Sequence, residues 1–107
     1  MKRGEIWTMR ASGSYLEKPR PAVIMQVNKI SESESVVICL FTSYVNTGLS
    51  TRVKVLPSNQ NGLTKTSYIM VEKIVSVKQS ELGEKIGELE DEYLKAASAI
   101  LKDLLGF

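Results

Sequence analysis

Histidine is absent from this sequence of 107 residues, and cysteine occurs only once. Without histidine the chain cannot build a Ser-His-Asp triad or a ribonuclease site based on two histidines. The lack of histidine and of a second cysteine also disfavours a zinc site. The single thiol, Cys39, lies within the apolar run from Val36 to Phe41. We therefore expect a buried free thiol rather than a disulfide or a nucleophile.

Long apolar segments are also missing. No run approaches the ~20 residues that a membrane-spanning helix needs. The basic start, Met1-Lys2-Arg3, is followed by Gly4 and Glu5 rather than by the apolar core of a signal peptide. We expect a cytoplasmic protein that makes no contact with a membrane. Its length predicts a single domain, residues 1–107, with one modest core.

A strong excess of one charge is absent, because 14 Lys and Arg oppose 12 Asp and Glu, for a net charge of +2. Bulk charge therefore does not identify a nucleic-acid-binding protein. The charge is unevenly distributed, however. Residues 1–57 contain eight basic and four acidic side chains, whereas residues 58–107 contain six basic and eight acidic ones. The basic first half is a weak indication of a phosphate-rich partner.

Short apolar segments separated by turn residues dominate the first three quarters of the chain. They are loosely alternating or rich in β-branched residues, which is typical of strands. In the fourth segment the alternation directs Val53 and Val55 inward, and Pro57 ends it. Asn61-Gly62 then marks a turn. The predicted strands span residues 5–10, 21–27, 35–41, 51–56, 68–71 and 74–77.

The last quarter of the chain predicts one amphipathic helix. Glu90-Asp91-Glu92 places carboxylates at its positive end, and Gly106 can end it. Five or six short strands followed by one helix predict a mainly β fold, a small and strongly bent sheet or barrel that the helix seals on one face. The predicted apolar face of the helix contains Leu94, Ala97, Ile100, Leu101, Leu104 and Leu105.

A particular order of motifs runs through nearly the whole chain. Lys2-Arg3-Gly4-Glu5-Ile6-Trp7 is followed by the small-residue loop Ser12-Gly13-Ser14, and Arg20-Pro21 then opens an apolar strand. Each motif is only moderately specific. In this order and spacing they resemble the MazF/PemK family, small endoribonucleases of bacterial toxin–antitoxin pairs. The later motifs are Leu40-Phe41-Thr42-Ser43, residues 67–74, and the segment with Leu82, Ile86-Gly87 and Leu89.

This resemblance implies a fold, an activity and a set of partners. The fold is an SH3-like barrel with a C-terminal helix, which is shared with the gyrase poison CcdB. The activity is sequence-selective cleavage of single-stranded RNA without metal or other cofactor, giving 2′,3′-cyclic phosphate and 5′-hydroxyl ends. The partners are a second copy in a homodimer and an acidic, partly disordered antitoxin peptide. Such an antitoxin would compete with RNA for a basic surface.

The resemblance assigns catalysis to Arg20 and Thr42, with Ser43 in support. Because the neighbouring 2′-hydroxyl of RNA is the nucleophile, the protein needs only to orient the phosphodiester and to stabilise charge on its oxygens. Arg20 offers a planar fork of donors for phosphate, and the Thr42 hydroxyl can donate to a phosphate oxygen. The acceptor of the 2′-hydroxyl proton stays open, either Glu17 or no single residue.

Further residues are candidates for contact with RNA. Gly13 can act as a hinge for the 12–19 loop, which borders the RNA groove in the family. The run from Gly13 to Lys18 differs from that of many relatives, so the recognised RNA sequence cannot be inherited from them. Trp7 and Phe41 could stack on bases, but we expect them to pack in the core. The predicted substrate-binding residues are Ser43, Gly13, Glu17, Lys18, Arg52 and Lys65, and Lys54 is a further candidate.

Two other classes of function fit parts of the sequence. A CcdB-like protein would bind gyrase and cut nothing, and the end Leu105-Gly106-Phe107 loosely resembles the Trp-Gly-Ile end of CcdB. A plain SH3-like binding module would explain the fold. Neither alternative uses Arg20 and Thr42, so the residues favour the nuclease.

Overall fold

The computed structural model describes residues 1–10, 19–27, 34–45 and 48–107. Neighbouring strands are antiparallel. A mainly β fold with one C-terminal helix was predicted and is confirmed. The elements are β1 (Glu5–Met9), β2 (Arg20–Ile24), β3 (Ser35–Thr42), β4 (Arg52–Val55), β5 (Ser67–Met70), β6 (Val75–Lys78), β7 (Leu82–Glu88) and α1 (Asp91–Leu105).

Strand β3 organises the sheet, whose strand order is β4-β5-β3-β2-β1-β7. One edge of β3 pairs with β2. On its other edge, residues 35–38 pair with β6, whereas Phe41 and Thr42 pair with β5. One long strand thus serves two neighbours in succession, and the sheet bends around it.

The connection between β4 and β5 packs against β7 and brings the two ends of the sheet order together. The backbone N–H of Glu88 donates to the carbonyl of Gln60 at 2.9 Å. A Cβ atom at Gly62 would lie 2.0 Å from the carbonyl oxygen of Ile86, and one at Gly87 would lie 2.4 Å from that of Asn61. Glycine is required at both positions because the two backbones are in direct contact. The connection between β4 and β5 is therefore packed backbone to backbone against β7.

Strand β7 was not predicted, since residues 82–89 were interpreted only as a short segment before the helix. Leu82 is buried, but Gly83, Glu84 and Lys85 are exposed, so the segment shows little of the alternation expected of a strand. It is extended because it pairs with β1, with register shifts along the ladder. Tertiary pairing, rather than local sequence, determines this strand.

The main core lies between the bent sheet and helix α1. Val53 and Val55 are buried as predicted, and so is the free thiol of Cys39. Phe41 also lies in this core, whereas Trp7 packs against a second apolar cluster on the other side of the sheet. The larger buried members of the main core are Ile6, Val23, Phe41, Ile69 and Val71.

Helix α1 begins and ends where the sequence predicts. Gly106 adopts the left-handed conformation at φ 78° and ends the helix. Ala97 is fully buried, and Leu94, Ile100 and Leu101 pack against the core. Leu104 and Leu105 are 45% and 54% exposed. The predicted apolar face was therefore too long, because packing against the sheet stops at Leu101.

The length and composition of the helices bear on membrane insertion. In the ranges that the structure describes, none of them is both long and apolar enough to cross a bilayer.

Candidate active site

Arg20 and Thr42 lie at the same end of the β2–β3 pair, where β2 begins and β3 ends. The ladder between these strands runs as far as the pair Ala22 and Leu40. Arg20 precedes this pair by two residues, and Thr42 follows it by two. The two predicted catalytic residues, 22 positions apart in sequence, both line the same groove.

The local sequence explains why Arg20 is available at this point. Pro21 fixes its own φ and has no N–H to offer to a ladder, and it lies opposite Thr8 of β1. Arg20 is exposed, whereas Ala22 and Val23, immediately after the proline, are fully buried. The strand is therefore anchored by its apolar residues and presents the guanidinium at its open end.

A groove of about 890 Å³ runs past this point. It contains four of the predicted site residues, Arg20, Thr42, Ser43 and Lys65. These come from β2, from the end of β3 and from the connection between β4 and β5. The other described residues that line it are Thr8, Pro19, Pro21, Phe41, Tyr44, Gly62, Leu63, Thr64, Ser67 and Ile86.

The Thr42 hydroxyl has a defined orientation. Its Oγ1 accepts a hydrogen bond of 3.1 Å from the backbone N–H of Tyr44. Because the oxygen is used as an acceptor there, the hydroxyl hydrogen is free to point away from the backbone and donate to another group. Thr42 can therefore act as a fixed hydrogen-bond donor in the groove.

The wall of the groove that is formed by the connection between β4 and β5 is supported by Asn61, which is fully buried. Its Oδ1 accepts hydrogen bonds of 3.0 Å from the backbone N–H groups of Ser58 and Leu63. Its Nδ2 donates to the carbonyl of Leu56 at 2.9 Å and to the Glu90 carboxylate at 3.0 Å. With all of these hydrogen bonds made, Asn61 fixes the loop just before the residues that line the groove.

Glu90 completes this support from the start of helix α1. Ser58 Oγ donates to Glu90 Oε2 at 2.7 Å, in addition to the bond from Asn61. Partial burial tends to raise the pKa of Glu90, but hydrogen bonds to the carboxylate from Ser58, a backbone amide and Asn61 outweigh it and lower the pKa. The carboxylate is thus held in its charged form as a structural acceptor.

The groove is suited to an anion. Among the described residues that line it, the charged side chains are Arg20 and Lys65, and hydroxyls come from Thr8, Thr42 and several neighbours. Guanidinium, ammonium and hydroxyl groups are all donors to phosphate oxygens. Within the described ranges no three His, Cys, Asp or Glu side chains converge as ligands for a metal ion. The chemistry offered by these side chains is positioning and charge stabilisation.

Arg52 lies elsewhere, in an ion pair. Its Nη2 is 2.9 Å from Oε2 of Glu72, and its Nε donates to the same oxygen at 3.2 Å. Thr51 Oγ1 donates to the other carboxylate oxygen of Glu72 at 3.1 Å. Only 11% of the Arg52 side chain is exposed. The structure therefore gives Arg52 a structural partner and does not bring it to the groove.

The remaining predicted substrate-binding residues are Gly13, Glu17 and Lys18, which lie outside the described residues. Lys54, the further candidate, is exposed on β4 and is not in the groove lining.

Sequence reasoning missed several residues of the site. Tyr44 lines the groove although only Thr42 and Ser43 were singled out at this strand end. Asn61 was recognised as part of a turn, but its buried hydrogen bonds could not be read from the Asn-Gly signal. Thr8 and Thr64 reach the groove through tertiary contacts alone, and no local motif marks them.

Known proteins resemble this chain in sequence and in fold. Residues 2–105 match the family described as "PemK-like, MazF-like toxin of type II toxin-antitoxin system". The chain is 32% identical over 102 residues to "Probable endoribonuclease MazF" of Mycolicibacterium smegmatis, and the match covers 94% of each protein.

Solved structures share the fold. One, an "Endoribonuclease in complex with its cognate antitoxin from Mycobacterial species", has a TM-score of 0.83 and 23% identity, covering 100% of this chain and 96% of that one. Another, the "Mycobacterium tuberculosis toxin MazF-mt6", has a TM-score of 0.80 and 22% identity, covering 96% and 97%. Together with the family match over nearly the whole sequence, these findings confirm the resemblance: the chain belongs to the PemK-like and MazF-like toxins of type II toxin–antitoxin systems.

Proposed function

We propose that this protein is a sequence-selective, metal-independent endoribonuclease that cleaves single-stranded RNA in the cytoplasm as the toxin of its pair. The observation that carries the proposal is that Arg20 and Thr42 both line one groove whose described charged residues are cations. The family match and the relative named as an endoribonuclease support the same activity.

The reaction forms one bond to phosphorus and breaks another. The 2′-hydroxyl attacks the adjacent phosphorus, and the bond from phosphorus to the 5′ oxygen of the next nucleotide breaks. The products are a 2′,3′-cyclic phosphate and a 5′-hydroxyl, and the proton lost by the nucleophile balances the one gained by the leaving oxygen.

Each groove residue has a role in this scheme. Arg20 binds the phosphate and stabilises the charge that develops on its non-bridging oxygens. Thr42, whose oxygen already accepts from the Tyr44 N–H, donates its hydrogen to one of these oxygens. Lys65 binds a neighbouring phosphate, and Ser43 offers a second hydroxyl. Alignment for in-line attack supplies much of the acceleration.

The proton acceptor is a separate question. Arginine cannot take this role, because its pKa lies above ~12 and its side chain is therefore already protonated. The described residues that line the groove include no carboxylate. Glu17 on the 12–19 loop is therefore the proposed residue, with positioning alone as the alternative.

The proposed partners follow from the family. One of the similar structures is a toxin bound to its cognate antitoxin. We extend this to an acidic, partly disordered antitoxin that occupies the cationic groove, and to a homodimer of this chain. The gyrase-binding alternative is not favoured, because the matched family and the relatives named above are MazF-type toxins and endoribonucleases.

The test is cleavage of a long unstructured RNA by the purified protein in excess EDTA. We expect discrete fragments with 5′-hydroxyl ends. Lys95→Ala, which changes an exposed cation on helix α1 away from the groove, is the matched control for Arg20→Ala and should cleave as the wild type does. The absence of discrete cuts with any RNA would refute the proposal.

A further inference from the structure

Tyr44 has an exposed aromatic ring in a groove proposed to bind RNA. It follows Thr42 by two residues, and 71% of its surface is accessible. It lines the groove together with Arg20 and Lys65 but belongs to neither apolar cluster. Tyrosine normally buries its ring or uses it in recognition. Among the residues that the structure describes, the fold leaves most of this side chain exposed.

Three other aromatic residues that the structure describes are already engaged. Phe41 is 1% exposed in the main core. Trp7 packs against the second cluster, and its Nε1 donates to Glu5 at 3.0 Å. The hydroxyl of Tyr93 accepts a hydrogen bond from the backbone N–H of Leu56. Among the described aromatic residues that line the groove, Tyr44 is thus the one with an accessible ring face.

The position of Tyr44 relative to Thr42 limits what its ring can reach. Two residues of extended chain span at most about 7 Å. The Tyr44 N–H bonds Thr42 Oγ1, so the segment is folded back onto the hydroxyl and the separation is smaller. A phosphate bound by Thr42 and Arg20 would have its flanking nucleotide beside the tyrosine.

We infer that the Tyr44 ring stacks on an unpaired base flanking the phosphate that is cleaved. This inference rests on the proposed function and adds a substrate contact to it. Aromatic stacking is a general means of holding single-stranded RNA, because every base has a π face. Tyr44 therefore favours single-stranded over duplex RNA and contributes affinity, while discrimination among the four bases comes from other groups.

The first test measures binding separately from cleavage. The probe is an oligoribonucleotide with a cleaved sequence and a single 2′-deoxy substitution at the nucleotide that supplies the nucleophile. Tyr44→Ala should weaken its binding roughly tenfold, within the range measured for stacked bases. Tyr44→Phe and Tyr44→Trp should bind as the wild type does. The alanine variant keeps the backbone N–H that orients Thr42, so kcat should be little changed while KM rises.

The control variant is Val45→Ala, the next residue, which is 55% exposed and outside the groove lining. It should leave binding and KM unchanged. A fall in kcat at unchanged KM for Tyr44→Ala would overturn the inference, since it would show that the side chain acts on the catalytic groups rather than on a base.

A second test locates the base. An abasic nucleotide is placed on one side and then on the other side of the non-cleavable linkage. At one of these positions, the abasic nucleotide should cost the wild type about as much affinity as the Tyr44→Ala substitution costs with the intact oligonucleotide. At the same position, the abasic nucleotide should cost the Tyr44→Ala variant little further affinity. Equal sensitivity of both proteins at both positions would refute stacking. If the wild type cuts no RNA, the proposed function fails, but the same binding and abasic tests on a single-stranded oligoribonucleotide that the protein binds still decide whether Tyr44 stacks on a base.

Discussion

Nδ2 of Asn61 donates a hydrogen bond of 3.0 Å to Glu90, the residue that immediately precedes helix α1. This bond joins the wall of the groove to the start of the helix. The same asparagine accepts two backbone N–H groups and donates to one carbonyl. A single buried amide therefore holds together a loop that has no regular secondary structure of its own.

Asn61→Ala should destabilise the fold and loosen the groove. It leaves buried donors and acceptors without partners, each costing about 1–3 kcal/mol, so we expect a loss of at least about 2 kcal/mol in the free energy of unfolding. Urea denaturation measures this, and KM for RNA should rise in the folded fraction. Asn59→Ala, an exposed neighbour in the same turn, is the control. Equal stability of both variants would show that the amide network contributes little.

Acid should destabilise the protein through Glu72 and Glu90. Burial tends to raise the pKa of Glu72, but hydrogen bonds from Arg52 and Thr51 outweigh it and lower the pKa below its ordinary value of 4.5. A carboxyl whose pKa is lower in the folded state stabilises the fold above its unfolded pKa. We therefore expect the contribution of these carboxyls to be fully present above about pH 5 and to be lost as the pH drops through the lowered values.

Glu72→Gln measures how much of this pH dependence comes from Glu72. The unfolding free energy of the variant should depend less on pH below about 5 than that of the wild type. Glu84→Gln changes an exposed carboxylate and serves as the control. An identical pH dependence in Glu72→Gln and the wild type would contradict the assignment to Glu72.

Arg20→Ala should separate activity from stability. Arg20 is exposed, so the free energy of unfolding should change by less than roughly 1 kcal/mol. Loss of a strong charge-stabilising donor should lower the cleavage rate about a hundredfold or more. Single-turnover cleavage and urea denaturation provide the two readouts. A folded Arg20→Ala that cleaves at the wild-type rate would show that the site is wrongly assigned.

Thr42→Ala should also lower the rate, and by less than Arg20→Ala does. The hydroxyl is a neutral donor, and neutral hydrogen bonds are weaker than charge-assisted ones. Thr42→Ser keeps the hydroxyl and should keep most of the activity. Similar rates for the alanine and serine variants would show that the hydroxyl takes no part.

Cys39 should be unreactive in the native protein. Burial raises the pKa of its thiol to about 12, and the negative charge of Glu72 adds to the effect. Because the thiolate is the reactive form, a thiol-specific chromogenic disulfide at pH 8 should label Cys39 only after unfolding in guanidinium. Fast stoichiometric labelling of the native protein would contradict its burial.

Antitoxin binding should weaken as salt is raised. An acidic peptide that occupies a groove with Arg20 and Lys65 is attracted by charges that salt screens. The cognate antitoxin, titrated against cleavage at increasing ionic strength, should show a rising inhibition constant and should displace RNA. Inhibition with RNA still bound would indicate that the antitoxin acts at another surface.

The parts of the fold that were predictable have strong local signals. The apolar run after Pro21 and the alternation around Val53 each predict a strand, and Gly106 marks the end of the helix. Strand β7 was not predicted, because Gly83, Gly87 and the exposed residues of this segment show no alternation of apolar and polar side chains. It is a strand because it pairs with β1.

The candidate site was predictable to a similar degree. Arg20 and Thr42 were singled out from motifs in the sequence, and both line the groove, from the start of β2 and the end of β3. The partner of Arg52 could not be read from the sequence, because Glu72 is 20 residues away and reaches it only through tertiary structure. The groove wall depends in the same way on the remote contact of Asn61 with Glu90.

The pairing of β1 with β7 has a consequence for the synthesis of this toxin. Strand β1 receives one of its neighbours only when residues 82–88 have been added, and Arg3 donates to Ser98 of helix α1. Contacts this distant in sequence form slowly, because a long loop has to close first. Until strand β7 and helix α1 have been made and have left the ribosome, the groove lacks both supports, and we expect the nascent chain to be unable to cut RNA before that point.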